Sequence, residues 1–122
     1  MSRFLAIAAL VSASLLAQPP AAQHQFMLRL QPIRSDFTLQ NMTGEEQKTL
    51  GRHAAHLQKL LAEGKITSGG QVLDPKGFWG FVIVNAPDLD SAVAIMNADP
   101  AVQEKVLRGE AFPFRALSAP SK

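Results

Sequence analysis

Cysteine does not occur anywhere in the 122-residue sequence. Its absence excludes disulfide staples, a thiol nucleophile and a lipid-modified N-terminal cysteine, so stability must come from a packed interior or from self-association. Charge of one sign is scarce in any one place. The 12 basic and 10 acidic residues give a net charge of +2 with no Lys/Arg block or basic stripe, and nucleic acid is not an expected partner. Neither GxGxxG nor GxxxxGK[ST] is present, nor a nucleophile elbow, and no cofactor is expected. One long hydrophobic run exists, at the start: Met1-Ser2-Arg3, then apolar or small residues from Phe4 to Ala17, then Gln18-Pro19-Pro20-Ala21-Ala22. It falls short of the roughly 20 residues that a spanning helix needs. The order of basic, apolar and small residues is that of a cleavable secretory signal. Residues 1–22 are therefore expected to be a signal peptide, the protein to be exported to the periplasm or outside the cell, and no permanent membrane span to remain. If Arg3 leaves with the signal, 11 basic residues face 10 acidic ones.

The rest of the chain, residues 23–122, is the size of one ordinary domain. From Gln25 to Gln31, Phe26, Leu28 and Leu30 alternate with Met27 and Arg29, the period of a half-buried strand that Pro32 ends. Residues 33–42 lack a period and read as a long loop. Thr43 with Glu46 forms a capping-box signature, and Glu45 and Glu46 favour a helix N-terminus. The helix that follows carries an apolar stripe of Leu50, Ala54, Leu57 and Leu61, with Leu60 at its edge and Gly64 as a stop. Ile66 to Gly70 reads as a short strand and Asp74-Pro75-Lys76-Gly77 as a tight turn. Phe78 to Val84, the most apolar segment after the signal, reads as a central strand. Pro87 and Asp88 open a second helix with Leu89, Val93 and Met96 on its buried face. Asp99-Pro100 breaks it and starts a further helical turn. A last strand is predicted over Glu110 to Leu117, with Pro113 placing it at a sheet edge or bulge.

The order strand, helix, strand, strand, helix, strand with short links predicts an α+β, ferredoxin-like βαββαβ fold: an antiparallel sheet with both helices on one face. Such a sheet is polar on its other face if it works alone. Here Phe78, Val82 and Val84 point one way and Trp79, Phe81 and Ile83 the other, so both faces are apolar. Either a second copy or the loop after the first strand must cover the open face, and a homodimer is the expectation.

Groups fit for chemistry are few. His53 and His56 lie three apart on the long helix, close enough to be surface neighbours. Without Cys or a carboxylate at a matching offset they are a weak metal pair, and no metal is expected. His53 falls at the margin of the apolar stripe, whereas His56 turns toward solvent and His24 sits near the new N-terminus. A half-buried imidazole can carry protons near neutral pH; its bland reading is a helix-boundary histidine that caps a carbonyl. Asp36, Asp74 and Asp99 lie in loops or breaks, where functional carboxylates tend to be placed, and each is also a good turn or cap residue. Gly69-Gly70 could allow a ligand close to the backbone.

The stretch His53 to Lys65, followed by Ser68-Gly69-Gly70-Gln71-Val72-Leu73-Asp74-Pro75-Lys76-Gly77, resembles the His-x-x-x-Leu … Gly … Gly-Pro-x-x-Asp pattern of the YCII-related (YciI-like) family. Arg34-Ser35-Asp36-Phe37, Thr43-Gly44-Glu45-Glu46, Ala98-Asp99-Pro100-Ala101-Val102 and Phe112-Pro113-Phe114-Arg115 extend the likeness over nearly all of residues 23–122. Gln71 stands where the pattern has Pro. The resemblance implies a dimeric α/β barrel with a pocket between helix and sheet edges and a histidine with an aspartate at its polar centre. Carried over, the histidine is His53, Asp74 is the aspartate after the Gly-Pro, and Asp36 and Asp99 match other recurrent acids.

Two functions fit these residues. In the first, the protein is an enzyme acting on a small molecule, of lyase or isomerase type. His53 is its general acid or base, oriented by Asp74 or Asp36, and Arg34, Gly70, Phe78, Trp79 and Asp99 belong to the binding site, with Phe81 in its lining. In the second, the protein is a non-catalytic dimeric module of the cell envelope that binds a small ligand or assists a partner.

Overall fold

The computed structural model describes residues 22–117, so the expected signal, all but its last residue, and the C-terminal tail lie outside the described residues. Strand β1 (His24–Pro32) buries Phe26, Leu28 and Leu30 and turns Met27 and Arg29 to the other face, as its alternation predicts. Helix α1 (Gly44–Ala62) starts at a complete capping box: the Thr43 hydroxyl accepts from the Glu46 N–H at 3.1 Å and the Glu46 carboxylate from the Thr43 N–H at 2.9 Å. It stops at Gly64, whose φ of 75° suits a residue without a Cβ, and there the Lys65 N–H closes onto the Leu60 carbonyl.

Strand β2 (Ile66–Val72) runs two residues further than its sequence suggests and carries an irregularity between Ile66 and Ser68. Asp74 and Gly77 close the next turn, and β3 (Trp79–Ala86) follows. The Asp88 side chain caps α2 (Leu89–Asn97), and Asp99 caps the single turn α3 (Pro100–Gln103). Strand β4 (Leu107–Phe114) begins and ends three residues earlier than the sequence pattern predicts. The positive φ of Lys105 ends α3 abruptly, and pairing of Leu107 with Pro32 draws the strand in at once.

The four strands are antiparallel in the order β2-β3-β1-β4. This is the ferredoxin-like α+β arrangement, with Pro113 on an edge strand where its missing N–H costs no interior ladder bond. The core lies between the sheet and the helices. Phe26, Leu28, Leu30, Val82, Val84 and Leu107 from the sheet meet Leu60, Ala92, Met96 and Ala101 from the helices. Each of these side chains other than the two alanines contributes roughly 1.5 to 3 kcal/mol on full burial. Gly109 lets α2 sit this close to β4: a Cβ there would lie 2.5 Å from the Met96 sulfur.

Register puts Met27, Arg29, Trp79, Phe81, Ile83, Phe112 and Phe114 on the opposite face. The Arg29 guanidinium lies over the Trp79 ring at 4.5 Å. The loop after β1 does not cross this face. It turns to the helix side, where Phe37 is buried against Phe78 with ring centroids 5.5 Å apart.

Candidate active site

Between α1 and the β2 edge of the sheet lies a cavity of about 550 Å³, within the usual range for small-molecule sites. Its helix wall is Leu50, Ala54, Leu57 and Leu61, the same stripe that the sequence periodicity picks out. That stripe is shared between core and cavity, because Leu50 and Leu57 also pack against the core. Leu60, at its predicted edge, is buried, whereas Leu61 remains 44% exposed because it faces the open cavity. The sheet contributes Ile66, Val82 and residues 67–71 of β2, and Phe78 and Leu39 close the loop side. Gly70 and Phe81 also line it although register places them on the other face, so the cavity turns around the β2 edge.

His53 projects from α1 into this wall with 17% of its side chain exposed. Its Nδ1 lies 2.7 Å and 2.9 Å from the two carboxylate oxygens of Asp99, which is 3% exposed. Asp99 is held from behind, because its Oδ1 also accepts from the Ala101 N–H at 2.8 Å as the cap of α3. A carboxylate only accepts, so the ring proton belongs on Nδ1 and the lone pair on Nε2. Arg52 on α1 hydrogen-bonds Thr49 and pairs with Glu104 just past α3, which pins the two helices that carry the dyad.

The structure thus pairs His53 with Asp99, not with Asp74 or Asp36. Asp74 accepts from the Lys76 N–H at 2.9 Å and serves its own turn. Asp36 is exposed and pairs with Arg34 at 3.1 Å. Arg34, expected to bind substrate, is occupied by Asp36, the Asn41 carbonyl and both oxygens of Glu46, and ties the loop to the start of α1. The Arg34 guanidinium, with the Thr43 N–H, holds the Glu46 carboxyl down at about 2, and the carboxylates in turn raise the Arg34 pKa above its ordinary value. Of the expected binding residues, Gly70 and Phe78 line the cavity, as does Phe81. Trp79 does not: it lies beneath Arg29 on the opposite face. Asp99 acts behind His53 rather than in the lining.

His56 also departs from expectation. It is half-buried under α1 beside a void of about 10 Å³, and its Nε2 is buried with no protein partner. Sequence reasoning also passed over Gln58, Thr67 and Ser68 as polar lining, and Gln71, which stands where the family pattern has Pro, lines the cavity as well. Only a turn-by-turn count along α1 could have singled out Gln58. Among the described residues no group of three or more His, Cys, Asp or Glu could hold a metal ion, and no helix is long and apolar enough to cross a membrane.

Topology and site together define a small ferredoxin-like α+β protein with a carboxylate-backed histidine at the wall of an apolar cavity. The chain belongs to the YCII-related family, whose domain model matches residues 26–113. Among solved structures it is similar to a 5-chloro-2-hydroxyhydroquinone dehydrochlorinase from Burkholderia phenoliruptrix in complex with 2,5-dihydroxybenzoquinone. That likeness has a TM-score of 0.51 at 21% identity and covers 75% of this chain and 93% of the other, a likeness of fold. No curated protein matches the sequence.

Proposed function

We propose that the protein is a small-molecule enzyme of lyase or isomerase type in which His53 moves the proton and Asp99 positions it. The observation that carries this reading is the His53–Asp99 contact at 2.7 Å beside a cavity large enough for an organic molecule. With Nδ1 committed to Asp99, Nε2 is the nitrogen free to take a proton from a bound molecule. The proton is then returned at another atom, which is isomerisation, or a leaving group departs with its bonding electrons, which is elimination. Dehydrochlorination, for which the similar Burkholderia protein is named, is an elimination, and its structure holds a small cyclic ligand. On the same reading the working form is an exported homodimer, the second copy covering the apolar open face.

His53→Ala tests the catalytic role. Turnover of a substrate found by screening small cyclic compounds should fall about 10²- to 10⁴-fold, the usual contribution of a positioned acid or base. The pH dependence of kcat/KM should flatten with it. Unchanged turnover and pH profile would leave a binding module in place of the enzyme.

A further inference from the structure

The lining of the cavity contains no lysine, arginine, aspartate or glutamate among the described residues. Its polar side chains are His53, Gln58, Thr67, Ser68 and Gln71, and the remainder are apolar or glycine. The nearby cations are committed elsewhere. Arg34 is bound to Glu46 and Asp36, Arg52 to Glu104, and Lys65 lies 3.5 Å from Glu63. Arg29 lies over Trp79 on the far side of the sheet. A carboxylate or phosphate seated against these walls would give up part of its hydration with no cation to replace it, a cost that an uncharged hydroxyl or carbonyl compound avoids by pairing with amides and hydroxyls.

From this we infer that the site selects molecules with no permanent charge: hydroxyl- or carbonyl-bearing compounds that carry an acidic proton but no carboxylate, sulfonate or phosphate. The inference rests on the proposed acid–base reading and narrows its substrate class. Proton transfer makes the same choice. When Nε2 takes a proton from a neutral molecule, the products are an imidazolium and an oxyanion in contact, a pair that balances within the cavity with Asp99 behind it. A substrate already bearing a carboxylate would become a dianion facing a single positive charge.

The test is titration calorimetry of the full chain with β-naphthol and with β-hydroxynaphthoate, the same skeleton bearing an added carboxylate. β-Naphthol should bind about tenfold more tightly or better, a difference of about 1.4 kcal/mol. The same preference should persist in His53→Ala, because the selection lies in the lining and not in the proton carrier. Gln58→Lys, which puts an ammonium into the wall, should shift the ratio toward β-hydroxynaphthoate by about tenfold on the same scale. Equal or tighter binding of the carboxylate to the unmodified protein would overturn the inference, and so would no binding of β-naphthol. Loss of the catalytic reading leaves a different signature: the preference survives while His53→Ala has no effect on turnover.

Discussion

At the scale of single residues, the half-buried position of His53 follows from local periodicity, but its partner does not. Asp99 is 46 positions away and reaches the imidazole only because α3 packs back on α1. Asp74 and Asp36, the acids expected to orient His53, are consumed by their own turn and by Arg34. His56 shows the same limit from the other side. The buried side of α1 is rotated toward Thr49 and Leu60, so a residue read as solvent-facing lies under the helix. The Asp99 contact predicts a specific split. Asparagine caps a helix about as well as aspartate, so Asp99→Asn should keep the fold and most of the melting temperature. The amide can present its N–H₂ to Nδ1 and favour the wrong tautomer, so kcat should drop about 10²-fold or more, toward the 10⁴-fold loss of an equivalent change in a triad, with KM little changed. A loss of stability parallel to the loss of kcat would mean that Asp99 serves only as a cap.

Elements were legible where their signals are local. The Thr43–Glu46 box, the Gly64 stop and the Asp88 and Asp99 caps all sit where their short-range hydrogen bonds demand. The bounds of β4 were missed because strand ends are fixed by pairing with β1, a long-range matter on which a single strand carries no mark. The start of α1 also carries the pH dependence. Glu46 is held near 2 in the fold, chiefly by Arg34 and then by the Thr43 N–H, against the usual 4.5 of an unpaired carboxylate. A carboxyl with a depressed folded pKa contributes stability that is complete above its unfolded value and is lost as pH falls from there toward the folded value. Glu46→Gln keeps a cap acceptor but removes this charge. The unmodified protein should therefore melt higher than Glu46→Gln at neutral pH, and the gap should close between pH 4.5 and about 2, as followed by thermal unfolding in a series of buffers. A gap constant across that range would show that the Arg34–Glu46 pair contributes nothing through charge.

At the scale of the whole molecule, strand order was legible because alternating elements with short links admit few antiparallel arrangements. The helix-side core likewise follows from the alternation of β1. The cavity was implied by the family resemblance but was not legible in the periodicity. The stripe Leu50, Ala54, Leu57 and Leu61 reads as core in one dimension, whereas in the structure all four line the cavity and only Leu50 and Leu57 also pack against the core. The other side of the sheet poses the corresponding question. Ile83 is nearly shielded by its neighbours, but Phe112 and Phe114 are 39% and 37% exposed, and Arg29 has its Nε buried without a partner in the chain. An antiparallel sheet with one face on helices can leave the other in water only if that face is polar, and no described segment crosses this one. Self-association through it is therefore the proposed state, and Phe112 is the residue to challenge: it lies on an edge strand and outside the helix-side core, so a charge there leaves that core untouched. Phe112→Lys should halve the mass seen by sedimentation at micromolar concentration while the circular dichroism of the fold is retained. A protein that already sediments as one subunit before the substitution would mean that the apolar face is tolerated in water, and the homodimer would have to be abandoned.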